Sequence, residues 1–210
     1  MKNILCFGDS NTFGTNPLGG RHPRDVRWTG ILQQLLGEDY YVIEEGFGGR
    51  TTVWDDPYEE NRCGKTALPI ALHSHKPLDL VILCLGTNDC KEHFHASAYV
   101  TSKGAELLCN MIRRCDYGPA YPTPQILLIS PIHIGDDVMS YQYKNFGYGA
   151  PAKSRELGKY YKEAAERVGC LFLDASTVAV PSQADQLHMD PESHRAFAEA
   201  VYEIVKNANL

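Results

Sequence analysis

The sequence has no C-x-x-C pair, and its seven cysteines are an odd number. This excludes a complete disulfide framework and leaves no zinc-site spacing. No apolar run approaches the ~20 residues that cross a bilayer; one of the longest is Leu80–Leu85. Basic residues are not in excess: 20 Lys and Arg face 26 Asp and Glu, for a net charge of −6. A nucleic-acid footprint is therefore not expected. The glycines at 46, 48 and 49 complete neither G-x-x-x-x-G-K nor G-x-G-x-x-G, so they are not a phosphate loop. There is no internal repeat, low-complexity tract or linker, and residues 1–210 are expected to form one domain. The segment Met1–Gly8 carries one side-chain charge and an apolar run too short for a secretory signal. With free cysteines inside apolar runs (Cys6, Cys84, Cys170), this suggests a reducing, cytoplasmic setting.

What is present is enough for a core: 43% of residues are hydrophobic and 22% are charged. Apolar runs of strand length recur at Ile4–Phe7, Tyr40–Ile43, Leu78–Leu85, Gln125–Ser130 and Cys170–Leu173. The third is nearly continuous, as in a strand covered on both faces. Helical periodicity marks Trp28–Leu36, Tyr99–Arg114, Ser154–Val168 and Pro191–Val205. Strand and helix alternate, which predicts an α/β fold with a central five-stranded parallel sheet, flavodoxin-like in class. Two long stretches have no clear period, Gly46–Lys65 and Pro131–Pro151. The second holds Tyr141, Tyr143, Phe146 and Tyr148. These aromatics could wall a pocket, form a subunit contact or cover the core.

In such a sheet, sites form beyond the carboxyl ends of the strands. Gly8-Asp9-Ser10-Asn11 follows the first strand, Gly46–Thr52 the second and Gly86-Thr87-Asn88-Asp89 the third; Asp185-Gln186-Leu187-His188 precedes the last helix. Ser10 is a candidate nucleophile, although Gly-Asp-Ser alone reads more readily as a turn with a helix cap. Asp185 and His188, three apart, can share a face and act as orienting acid and base. Two rivals stand nearby. Asp190 and His194 are four apart, but Asp190 precedes Pro191 and reads as a helix cap; Asp174 follows the fifth strand and can hold a turn. Gly49 and Asn88 are candidate donors to an oxyanion, one through its backbone and one through its amide.

Taken in order, Phe7-Gly8-Asp9-Ser10, Gly49, Gly86-Thr87-Asn88-Asp89 and Asp185-x-x-His188 resemble the four sequence blocks of the SGNH (GDSL) hydrolases. Within that family the chain is similar to the bacterial arylesterase/acyltransferase subgroup, through Asp25-Val26-Arg27-Trp28-Thr29-Gly30, Arg50-Thr51-Thr52, Asp55-Asp56-Pro57 and Tyr121-Pro122-x-Pro124. The resemblance implies a three-layer α/β/α sandwich, ester hydrolysis without metal or cofactor, and homo-oligomers. It implies catalytic roles for Ser10, Asp185 and His188, and an oxyanion hole from Ser10, Gly49 and Asn88. The chain departs from the subgroup at Asn11, where an aliphatic residue is common, and at Phe13 and Thr15, where tryptophans narrow the pocket in relatives. Asn11 and Phe13 are accordingly expected to contact substrate.

The expected activity is hydrolysis of short-chain acyl or aryl esters through an acyl-enzyme, with transfer to alcohols as an extension. Carbohydrate O-deacetylation with the same triad is the alternative. A non-catalytic flavodoxin-like binding module is a more distant one. The expected partner is a small-molecule ester, with neither nucleic acid nor a membrane involved. The Pro131–Pro151 aromatics are expected to pack on a neighbouring subunit and wall the substrate channel.

Overall fold

The structure is a computed structural model that describes residues 1–208 and 210. Five parallel strands form one sheet: β1 (Lys2–Gly8), β2 (Tyr40–Gly46), β3 (Leu80–Cys84), β4 (Gln125–Ser130) and β5 (Leu171–Asp174), in the order β2-β1-β3-β4-β5. The helices are α1 (Ser10–Phe13), α2 (Trp28–Leu36), α3 (Gly64–His75), α4 (Ala98–Arg114), α5 (Ala150–Val168) and α6 (Pro191–Asn207). The strand order reverses direction at β1 and β3, the point where doubly wound sheets open a crevice.

Successive strand residues point to opposite faces, and two apolar layers result. Leu5, Phe7, Val81 and Leu83 face α3, α4 and α5, joined by Leu72, Leu108 and Leu157. Ile4, Cys6, Leu80 and Ile82 face α2 and α6, where Trp28 lies edge-on to Phe197 at 5.0 Å. The fold is thus the expected three-layer α/β/α sandwich. All five residues of β3 are buried, which explains its unbroken apolar run.

Local chemistry fixes the helix starts. The Asp190 carboxylate accepts the Ser193 N–H at 2.9 Å with Pro191 next, so Asp190 is the cap of α6. The Ser97 hydroxyl caps α4 by accepting the Val100 N–H. α5 begins four residues before the predicted start, with Pro151 in its first turn. The sequence pattern does not announce α3. Pro69 lies inside it and only Gly64, Leu68, Ala71 and Leu72 are buried, a stripe too sparse to stand out. Pro131–Pro151 contains two single 3₁₀ turns, Val138–Ser140 and Lys144–Phe146, before α5. No helix among the described residues is long and apolar enough to cross a membrane.

Candidate active site

The site is assembled at the carboxyl edge of β1, β2 and β3. β1 ends at Gly8, where a Cβ would stand 2.0 Å from the Thr12 hydroxyl oxygen and 2.8 Å from the Cys84 carbonyl oxygen. That close approach lets the chain turn sharply into α1. The buried Asp9 side chain accepts the Asn11 N–H at 3.0 Å. Burial pushes the Asp9 carboxyl up to about 6, against the pull of that hydrogen bond and of nearby His188 and Arg50. Ser10 then opens α1, and its side chain meets the last loop of the chain.

The Ser10 Oγ lies 2.9 Å from His188 Nε2, and His188 Nδ1 lies 2.6 Å from Asp185 Oδ2. The second Asp185 oxygen accepts the N–H groups of Leu187 and His188, each at 2.9 Å. Gln186, at φ +65°, makes the tight reversal that brings both N–H groups back to the carboxylate. Burial raises the Asp185 pKa, but the imidazole and backbone hydrogen bonds outweigh it and hold the carboxyl below its ordinary value. A carboxylate held ionised against one imidazole nitrogen favours a proton there and leaves the other nitrogen to face the serine.

Gly49 and Asn88 come to the same place from separate loops. Gly49 is the third residue of a turn closed by the Arg50 N–H on the Phe47 carbonyl, at φ +75°, where a glycine avoids backbone strain. Asn88 starts a 3₁₀ turn after β3, and one of its amide hydrogens is held by the Arg50 carbonyl at 3.2 Å. The two loops are tied together by Asp89, whose carboxylate accepts the Thr52 N–H at 3.0 and 3.2 Å and the Thr52 hydroxyl. Burial pushes the Asp89 carboxyl up to about 6. Arg50 adds a second tie: its guanidinium donates to the carbonyls of Gly8 and Glu45 and stacks on Phe7 at 4.1 Å from the ring centre. Neither Arg50 nor the Thr52–Asp89 pair was among the candidates, since their role depends on loops meeting in space.

A cavity of about 430 Å³ opens over these groups, and its lining also includes Phe13, Thr15, Tyr143 and Leu187 together with the charged Glu59, Arg62 and Lys91. Lys91 Nζ bridges Asp56 at 2.8 Å and Glu59 at 2.9 Å. Arg62 packs against Gly49 so closely that a Cβ there would meet its Nε at 2.8 Å. These charged residues lie in aperiodic loops, and the sequence carries no pattern that would single them out.

One expectation needs revision. Phe13 lines the cavity, but Asn11 does not: its amide is committed to the Leu187 carbonyl and the Met189 N–H. Asn11 is a structural contact to the His188 loop and not part of the cavity wall. The aromatic segment is divided between the chain's own core, the cavity and the surface, where Tyr148 is exposed. Phe146, 2% exposed, is packed into the chain's own core, and Tyr143 stands edge-on over His188 with ring centres 5.5 Å apart. Tyr143 walls the cavity within its own chain. The rivals to the acid and base are engaged elsewhere. Asp174 accepts from Ser130 and Ser176, while buried His194 accepts the Trp28 N–H. No group of three or more His, Cys, Asp or Glu among the described residues could hold a metal ion.

A doubly wound parallel sheet that converges a serine, an imidazole, a carboxylate and amide donors on one cavity defines a hydrolase, and the comparisons narrow it to carboxylic esters. The chain belongs to the GDSL-like lipase/acylhydrolase family, whose sequence model matches residues 6–196. No curated protein matches it in sequence. Among solved structures it is similar to the native aryl esterase of M. smegmatis, with 36% identity over 98% of this chain and 99% of that one and a TM-score of 0.92. It is similar to the same degree to Est24, a carbohydrate acetylesterase from Sinorhizobium meliloti, at 36% identity, 98% and 99% coverage and a TM-score of 0.92.

Proposed function

We propose that the protein is a serine esterase acting on short-chain acyl or aryl esters. The observation that carries this reading is the series Ser10 Oγ to His188 Nε2 at 2.9 Å and His188 Nδ1 to Asp185 at 2.6 Å. Ser10 attacks the ester carbonyl as His188 takes its proton, and Asp185 stabilises the imidazolium. Negative charge on the carbonyl oxygen is met by the N–H groups of Ser10 and Gly49 and by the free hydrogen of the Asn88 amide. His188 passes the proton to the leaving alcohol. Water then attacks the acyl-enzyme by the same route in reverse, and a second alcohol in that position gives acyl transfer. The aromatic wall of Phe13 and Tyr143 supports a small acyl group.

A second reading, deacetylation of a sugar hydroxyl, is favoured by Glu59, Arg62 and Lys91 on the cavity wall, which offer charged hydrogen-bonding groups to a polyol. Comparison of kcat/KM for p-nitrophenyl acetate and for an acetylated xyloside decides between them. Ser10→Ala should abolish both activities in folded protein, and near-parental turnover by that variant would refute the mechanism. We further propose self-association, as the resemblance implies; a monomer in light scattering at micromolar concentration would refute it.

A further inference from the structure

We propose that Asn11 positions the general base: one side-chain amide clasps the chain on both sides of His188 and holds the imidazole in register with Ser10. The proposal rests on the reading of Ser10 and His188 as nucleophile and base. Asn11 directly follows Ser10 in α1 and is buried. Its Nδ2 donates to the Leu187 carbonyl at 3.3 Å, and its Oδ1 accepts the Met189 N–H at 3.0 Å. The residues before and after His188 are thus bound by the residue after the nucleophile, across 176 and 178 positions of sequence.

The loop from Val180 to Asp190 contains neither helix nor strand, so hydrogen bonds must set the place of the imidazole. Some lie within the loop, and others join it to the preceding segment: the Gln186 carbonyl accepts the Gly135 N–H at 2.8 Å, the Gln183 carbonyl accepts the Tyr141 hydroxyl at 2.8 Å, and the Tyr143 hydroxyl lies 3.5 Å from His188 Nδ1. Asp185 accepts the Leu187 and His188 N–H groups, and the His188 carbonyl accepts the Ser182 N–H at 2.7 Å. These bonds shape the loop but do not locate it relative to Ser10. Between the described residues of this loop and the turn that carries Ser10, the hydrogen bonds are the Ser10–His188 contact and the two made by Asn11. Apart from the reacting pair itself, Asn11 is therefore the direct hydrogen-bonded link that registers the base loop on the nucleophile turn before any substrate arrives.

The residue type matches the task. A planar amide presents a donor and an acceptor together; leucine offers neither, and a carboxylate lacks the donor. An error of about 1 Å in such a register can cost on the order of 10²-fold in rate. Asn11 does not line the cavity that Ser10 and His188 face, so its loss should act on turnover and not on substrate affinity.

The test uses Asn11→Leu, which removes both bonds, and Asn11→Asp, which keeps the acceptor for the Met189 N–H. For p-nitrophenyl acetate, kcat should fall by about 10- to 100-fold in Asn11→Leu and less in Asn11→Asp, with KM within about twofold. The rate at which an organophosphonate modifies Ser10 should fall by the same factor as kcat, measured well below the melting temperature of each variant. A purely structural role would lower the melting temperature and leave both rates unchanged. If Asn11→Leu folds and keeps kcat within twofold of the parent, or loses activity through KM alone, the proposal is wrong. If Asn11→Leu does not fold, unchanged kcat in Asn11→Asp overturns it. Ser10→Ala is measured alongside, and surviving activity there would overturn the underlying reading of the site instead.

Discussion

Replacing Asn88 by alanine separates what its amide does for the fold from what it does for the reaction. One amide hydrogen is spent on the Arg50 carbonyl at 3.2 Å, which aims the group; the other is left for the substrate oxygen. Removing the side chain leaves the Arg50 carbonyl without that donor, at a cost of about 1–3 kcal/mol if no water replaces it. In a chain of this size that is a fall in Tm of roughly 2–4 °C per kcal/mol, so the variant should still fold. The kinetic effect is larger. An oxyanion donor contributes about 2.7–4 kcal/mol in the transition state, which corresponds to a kcat lower by about 10²–10³-fold. The hydrogen bond tightens only as charge develops, so KM should change little. The assay is steady-state hydrolysis of p-nitrophenyl acetate, with the melting curve recorded on the same preparation. A folded Asn88→Ala protein with kcat within threefold of the parent would refute the assignment of Asn88 to the oxyanion.

The remaining predictions concern pH. Burial, then the neighbouring His22, lowers the His194 pKa from 6.5 to about 3, so the folded protein keeps this ring neutral while the unfolded chain protonates it. Its stabilising effect is complete above pH 6.5 and is lost as pH falls from 6.5 towards 3, at roughly 1.4 kcal/mol per pH unit. Asp9 and Asp89 act in the opposite sense. Their pKa values are raised from 3.8 to about 6, so the ionised forms are disfavoured in the fold and the protein gains stability as pH falls through that window. The comparison that isolates His194 is therefore wild type against His194→Gln. The stability gap between them should narrow by about 2 kcal/mol from pH 7 to pH 5, read by urea unfolding, and a constant gap would contradict the neutral buried ring.

Much of the architecture could be read from the chain because its signals were local. Leu80–Leu85 announced a doubly covered strand, and Asp190-Pro191 announced the start of α6. Ser10, Gly49, Asn88, Asp185 and His188 could be collected in advance because strand ends in a parallel α/β fold share one edge. What escaped was set by tertiary contact. Pro69 and a thin apolar stripe hid α3. Asn11 sits beside the nucleophile and so suggested substrate contact, but its partners lie across the fold, and no linear pattern shows where a side chain points. Phe146 lies in an aperiodic stretch, where no spacing shows that it packs into the chain's own core. Arg62, Glu59 and Lys91 reach the cavity from aperiodic loops, where spacing carries no information about direction.

The most direct test of the central claim is the identity of the residue that becomes covalently modified. Wild-type protein treated with a p-nitrophenyl organophosphonate should lose activity with one equivalent bound, and peptide mass spectrometry should find the adduct on the Ser10 hydroxyl. His188→Ala should react far more slowly, because the serine then lacks its base at 2.9 Å. An adduct on any other residue, or full inactivation with Ser10 unmodified, would contradict the account.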